Sequence, residues 1–299
     1  RKKFTISAWC KRSNAGDVDY IMAAGTDSNN YIDDLRFDGA GKLIFDGYST
    51  GSTYRLKTNR LFRDVAAWYH VVVRYDSTQS TSSERLKMYV NGEGQTDFET
   101  ATYPSQDYET FFNKNVEHTV GRNLTAGSAP ADIYYSGHIA QLIFIDGTAY
   151  SESAFGSTNA QGIWVPITTP SVTYGNNGFK LDFADSGASA ASGNFGSDSS
   201  GNNNHFTSNA LGTNPNTTDT PANNFAVLNE NDRYNSYQAQ SSTQGPITKA
   251  GRKFATGGQL GGSERYYNTT ATIAIPSAGK WYWEVKPVAG SNGLGFRWT

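Results

Sequence analysis

The sequence predicts an all-β chain: an antiparallel two-sheet sandwich, then a long irregular arm, then the start of a second β-sandwich. Three observations predict it. Apolar and polar residues alternate with period two in successive short runs, Gly, Asn, Asp and Ser clusters separate the runs, and no long helical period lies between them. Only 37% of the 299 residues are hydrophobic and 17% are charged, so the polarity comes from neutral hydrogen-bonding side chains. That profile suits short strands joined by many turns.

Phe4 to Lys11 is the first strand-like run, and Lys42 to Tyr48 and Trp68 to Tyr75 come after it. The clearest alternation is Arg85 to Val90, where Leu86, Met88 and Val90 share one face and Arg85, Lys87 and Tyr89 the other. It runs into Asn91-Gly92, a pair that tolerates the positive φ of a type I′ turn. The chain should reverse there and return as a hairpin strand through Gln95 to Phe98. Ile139 to Ile145 is the longest apolar stretch, and a short helical turn is expected near Ser151 to Phe155. Strands with apolar inner faces must close into a barrel or pack as two sheets, and flat, half-polar strands favour two sheets.

From about Asn176 the character shifts, because Ser186 to Asn209 and Gly212 to Asn224 hold few large apolar side chains. Such a stretch buries too little surface to offset its ordering entropy. Phe195, Phe206, Phe225 and Leu228 recur in it as anchors, so it should lie against a neighbouring subunit or a partner protein. A last β segment includes Lys280 to Val285, with Trp281, Trp283 and Val285 on one face. The expected division is therefore a sandwich over residues 1–165, an arm or linker over 166–245, and part of a second sandwich over 246–299.

Charge and cysteine usage exclude several classes. A formal charge of −2 with both signs interspersed offers no positive field for nucleic acid. The single Cys10 lies in an alternating strand, where a small buried thiol is expected and no disulfide framework forms. No run approaches the roughly 18 apolar residues that span a bilayer, so a soluble chain without membrane insertion is expected. Neither end reads as a natural terminus: the sequence starts at Arg1 without Met and stops just after a Trp-rich strand, so a fragment is expected.

FTISAWCKRS, AWYHVVVRYD, RLKMYVNGE, HTVGRN and YYSGHIAQLIFIDGTAYSESAFG, in that order, resemble the laminin-G-like members of the concanavalin A-like lectin/glucanase superfamily. The resemblance covers roughly residues 1–165 and implies a jelly-roll topology. The family's usual first strand is absent, and GSDSSGNNNHF at 196–206, similar to a segment often seen near the start of such domains, here comes after the domain. SAGKWYWEVKPVAGSNGLGF resembles the opening of a SPRY domain. Together with LDFADSG and TDTPANNFAVLN, the series resembles virion structural proteins of marine tailed bacteriophages in tail-fibre or capsid-appendage roles. That implies an external virion protein, a homo-oligomer with trimers as the usual form, whose partners are other virion proteins and host-surface glycans.

Catalytic patterns are missing. Glycoside hydrolysis needs two carboxylates flanking the scissile bond, which the glucanase branch supplies as Glu-x-Asp-x-x-Glu or a close variant. No such run occurs here, and Asp17/Asp19, Asp33/Asp34 and Asp182/Asp185 read as turn or strand-end residues. His70, His118, His138 and His205 have no metal-ligand spacing, no Gly-x-Ser-x-Gly elbow is present, and 257–262 lacks the spacing of a phosphate loop. No enzyme and no cofactor is expected. Calcium is the metal the resemblance admits; Asp17, Asp19, Asp27, Asn29 and Asn30 have suitable oxygens, but no Asp-x-Asp-x-Asp-Gly loop assigns a site.

A sugar site needs a flat ring beside directional hydrogen-bonding groups. Two stretches offer that: Tyr48, Tyr54 and Arg55 in one, Asp132, Tyr134 and Tyr135 in the other. The same tyrosines would equally cap a sandwich edge or pack on a neighbouring subunit.

Overall fold

The computed structural model describes residues 2–27, 30–124, 133–187, 189–208, 216–235, 247–248, 253–254, 267–273, 278–280 and 282. Its strands are β1 (Lys3–Arg12), β2 (Asp19–Asp27), β3 (Tyr31–Phe37), β4 (Lys42–Ser49), β5 (Ser52–Leu61), β6 (Tyr69–Asp76), β7 (Leu86–Val90), β8 (Glu93–Gly94), β9 (Phe98–Thr102), β10 (Glu117–Val120) and β11 (Gly137–Asp146). After these come β12 (Gly156–Thr158), β13 (Trp164–Pro166), β14 (Phe179–Leu181), β15 (Leu228–Asn235), β16 (Ile247–Thr248), β17 (Lys253–Phe254) and β18 (Tyr267–Ala271). One helical turn, Ser82–Arg85, precedes β7, and a 3-10 turn, Glu152–Ala154, falls where a short turn was expected. No helix among the described residues is long and apolar enough to cross a membrane.

Two six-stranded antiparallel sheets face each other. The first runs β14-β11-β1-β6-β7-β8 and the second β10-β2-β3-β4-β5-β9, a jelly-roll-like sandwich. Phe4, Ile6, Ala8 and Cys10 of β1 point inward, as the alternation requires, and join one core with Phe45, Tyr54, Tyr75, Phe112 and Phe144. The rings pack closely: Phe4 stacks on Tyr75 at 4.7 Å and meets Phe112 at 5.5 Å and Phe144 at 5.7 Å. Much of the aromatic share of the sequence fills this core.

The outward side chains of β1 are buried too, because later segments cover the first sheet. Val72, Ile143 and Ile145 pack under Phe155, Tyr150, Val172 and Tyr174. Beside them His70 lies between Trp9 and Trp164, stacked at 4.6 Å and 6.0 Å. The Trp164 indole N–H donates to its Nδ1 at 2.9 Å, so the proton sits on Nε2, which meets the Ser7 hydroxyl at 2.9 Å. Burial pushes the imidazole down to about 3, and it remains neutral.

Asn91 and Gly92 both take positive φ, 51° and 81°, as the type I′ reading requires. A Cβ at Gly92 would stand 2.7 Å from Trp164, so the turn also needs glycine for close approach. The expected return strand through Gln95 to Phe98 is shorter than the sequence suggests. Pairing with β7 ends at Glu93–Gly94, after which the chain crosses to the other sheet and Phe98–Thr102 pairs with β5.

The sandwich also reaches past the expected boundary at 165. Strand β14 pairs with β11 through Leu142↔Leu181 and Phe144↔Phe179, adding the outermost strand of the first sheet. GSDSSGNNNHF fixes it there. The Asp198 carboxylate accepts from the Lys180 amide at 2.9 Å, the Ser200 amide at 2.8 Å and the Asn204 amide at 2.9 Å. Asn202 and Asn204 side chains both donate to the Gly178 carbonyl at 2.9 Å. Phe206 meets Phe179 edge-on at 4.8 Å, and Phe195 lies 5.2 Å from Phe183. Those two anchors were expected to reach a neighbour; both pack within the chain, because the β11 edge leaves apolar surface that β14 and its loop cover. Phe225 is 45% exposed, and Leu228 opens β15. Trp281, Trp283 and Val285, on which the second sandwich was read, lie outside the described residues.

Candidate functional site

The outer face of the second sheet carries side chains in cross-strand rows. Tyr20, Arg36, Ile44 and Lys57 face one another across β2, β3, β4 and β5, and Ala23, Asp34, Asp46 and Arg55 form the adjacent row. Asp46 is the hub. Arg36 reaches it through Nη1 at 2.9 Å and Nη2 at 3.3 Å, and the Arg55 Nε donates to it at 2.7 Å. Arg36 also holds Asp34. Burial lifts the Asp34 carboxyl well above the usual carboxylate range, against the pull of Arg36. Lys57 bridges Asp38 at 3.1 Å and Glu99 at 3.0 Å, so the cations of this face are matched by carboxylates.

Each arginine of the two rows also covers an aromatic ring. Arg36 stands 5.6 Å from the Tyr20 centroid and Arg55 5.8 Å from that of Tyr48. Tyr48 further packs with Ile32, Leu124 and Ile133 in a small outer cluster, so segments flanking 125–132 lie over this sheet. Arg122, opposite Tyr134 in an antiparallel bridge, stands 5.4 Å from that ring.

The structure brings Tyr48 and Arg55 together as the sequence suggested. Tyr134 is also surface-placed, at 47% exposure. Two expected residues are not available to a sugar. Tyr54 is fully buried, with its hydroxyl donating to Asp33 at 2.7 Å. Its strand alternates Tyr54, Leu56 and Thr58 inward against Arg55 and Lys57 outward, a period-two signal already present in the sequence. Tyr135 packs against the main core beside Cys10, and burial raises its hydroxyl and the Cys10 thiol far above their ordinary ranges. Asp132 lies outside the described residues. Sequence reasoning missed Arg36, Asp34, Asp46 and Tyr20: Lys42 to Tyr48 was expected as a strand, but YIDDLRF was not, and its paired acids read as turn or strand-end residues.

Asp34 and Asp46 form a carboxylate pair on this face, and their side chains are only 5% and 3% exposed, both bound to one guanidinium. They form a structural ion network. Asp19, considered as a calcium ligand, instead receives the buried Arg12 at 2.8 Å and the Ser136 amide at 2.8 Å. Among the described residues no three His, Cys, Asp or Glu side chains come together.

Residues 1–148 match the concanavalin A-like lectin/glucanases superfamily. No curated protein matches the chain. Among solved structures, a native heptameric SAP-like pentraxin from Limulus polyphemus is similar at 16% identity and TM-score 0.36, over 50% of this chain and 66% of that one. The Ruminococcus gnavus IT-sialidase CBM40 bound to α2,3 sialyllactose is similar at 15% identity and TM-score 0.34, over 45% and 70%. A tailspike protein 2 from Escherichia coli O157:H7 bacteriophage CAB120 is similar at 16% identity and TM-score 0.30, over 52% of this chain and 21% of the tailspike.

Proposed function

We propose that the protein is a non-enzymatic carbohydrate-recognition module on a tailed-bacteriophage appendage, with Tyr48 and Arg55 as contacts to host-surface glycan. The observation that carries this is their pairing on the half-exposed end of the β4–β5 hairpin, in a sandwich that matches a lectin superfamily. A guanidinium held on one edge by Asp46 presents its remaining donors in a fixed plane, and a tyrosine beside it adds an apolar surface. The appendage role is supported by the resemblance of LDFADSG, TDTPANNFAVLN and the Trp-rich tail to virion structural proteins. Several copies, three by that resemblance, would add weak sugar contacts as avidity.

An array of bacterial and algal polysaccharides tests the reading. Binding that falls about tenfold or more in Arg55→Ala and Tyr48→Ala is expected. Silence across the array, with this face buried against other proteins in a virion map, would instead assign an assembly or decoration role. Release of reducing ends on incubation would make the protein a depolymerase.

A further inference from the structure

Tyr20, Tyr48 and Tyr134 each carry a guanidinium over the ring. Tyr31 does not, among the described residues. It is 38% exposed at the start of β3 and meets Phe111 edge-on at 6.4 Å. The segment that presents Phe111, residues 103–116, is a rigid cap on this end of the sandwich. Phe112 is fully buried in the core, the Tyr75 hydroxyl donates to the Tyr108 carbonyl at 3.1 Å, and the Asp107 amide donates to the Ser77 carbonyl at 2.9 Å. Buried Asp33 accepts from both the Tyr54 hydroxyl and the Phe111 amide.

Polar residues flank Tyr31 and its partner Phe111. The Lys114 ammonium stands 4.9 Å from the Phe111 centroid and donates to the Glu109 carbonyl at 3.2 Å. Ser49 is the cross-strand partner of Tyr31, and the next residue, Thr50, donates its amide to the Asn30 carbonyl at 2.9 Å, tying two hairpin tips together. Thr50 holds φ at 57°, and Asp107 and Asn113 in the cap hold 62° and 67°. Positive φ is a genuine outlier for a β-branched residue, and strain of this kind gathers at ligand clamps and switch regions.

We propose that Tyr31, with Phe111, Lys114, Asn30 and Thr50, forms a second carbohydrate subsite, one that takes a neutral pyranose. The C–H face of the sugar stacks on Tyr31, and its hydroxyls pair with the Lys114 ammonium, the Asn30 amide and the Thr50 hydroxyl. Lys114 is the only cation in 103–116, which also carries Asp107 and Glu109, and Lys2 pairs with Asp107 at 3.2 Å, so two cations stand against two carboxylates and leave no positive excess for an acidic sugar. The rigid cap means little ordering is needed on binding. This inference rests on the carbohydrate reading above and adds a position on the other side of the same hairpin.

The test uses the full chain, first on an array of neutral and acidic polysaccharides, then by titration with the tightest neutral one. Tyr31→Ala should weaken binding about tenfold with an unchanged urea midpoint, and Lys114→Gln several-fold. Tyr31→Phe, which keeps the ring, should stay within about twofold of the parent. If the parent binds and Arg55→Ala weakens it but Tyr31→Ala does not, the rim subsite is overturned and the carbohydrate reading stands. Binding only to acidic polysaccharides overturns the assigned sugar class, and silence across the array overturns both.

Discussion

Asp33 lies inside the sandwich, and burial pushes its carboxyl up to about 7 although the Tyr54 hydroxyl and the Phe111 and Phe112 amides donate to it. A carboxyl whose folded value lies above its unfolded value binds more protons when folded. Its contribution to stability is therefore full below about pH 4, falls as pH rises toward 7, and is flat beyond. A rise from 3.8 to about 7 corresponds to roughly 4 kcal/mol. His70, held neutral, has the opposite slope because its folded value is depressed, and buried Asp34 and His118 also titrate differently in the two states, so the parent's pH profile mixes several groups. Asp33→Asn isolates the contribution of Asp33. Urea unfolding at pH 5 and pH 8 should show the variant losing less stability across that interval than the parent, and equal losses would refute the assignment. None of this was legible from the sequence, where Asp33 and Asp34 read together as turn or strand-end residues. Strand alternation sends Asp33 into the core and Asp34 to the outer ion network, and only the register reveals which is which.

Strand β14 shows which elements a local pattern reveals and which it does not. The strands β1, β4, β6, β7 and β11 were legible because each shows period-two faces over several residues, and the Asn91-Gly92 turn because its backbone demands rare dihedrals. FKL is only three residues long, in a segment rich in Gly, Ser and Asn, and its worth comes from distant partners. Phe179 is 4% exposed against Phe144 and Phe206, and Leu181 is 1% exposed. Phe179→Ala should cost about 3–5 kcal/mol in urea unfolding, as for other buried aromatic truncations. A chain ending at 165 would leave the β11 edge and Leu142 and Phe144 uncovered; it should show no cooperative transition, whereas one ending at 227 should. Equal midpoints for the two would mean that β14 adds nothing to the fold.

At the scale of the whole molecule, residues 217–227 tie the β15–β18 pair to the first sheet. Lys11, fully buried on β1, donates to Asp219 at 2.8 Å, to the Asn224 side chain at 2.7 Å and to the Phe225 carbonyl at 2.6 Å. Asp219 also accepts from the Trp68 indole at 3.0 Å and the Phe225 amide at 3.1 Å. Val227 then exchanges hydrogen bonds with Thr272, just before β15 pairs with β18. All three ammonium protons are used, so removing the lysine alone leaves a buried carboxylate without its cation, a loss of about 3–5 kcal/mol, while replacing both charges with apolar groups is close to neutral. Phe225 provides the readout, since its ring is exposed but its carbonyl and amide are clamped. Chymotrypsin should cut after Phe225 slowly in the parent, at least tenfold faster in Lys11→Met, and at nearly the parent rate in Lys11→Met with Asp219→Leu. Because the clamp closes within one chain, protection should not change with protein concentration. Protection that rises with concentration would show that a neighbouring copy holds this segment, and unchanged cleavage in Lys11→Met would show that the ion pair does not.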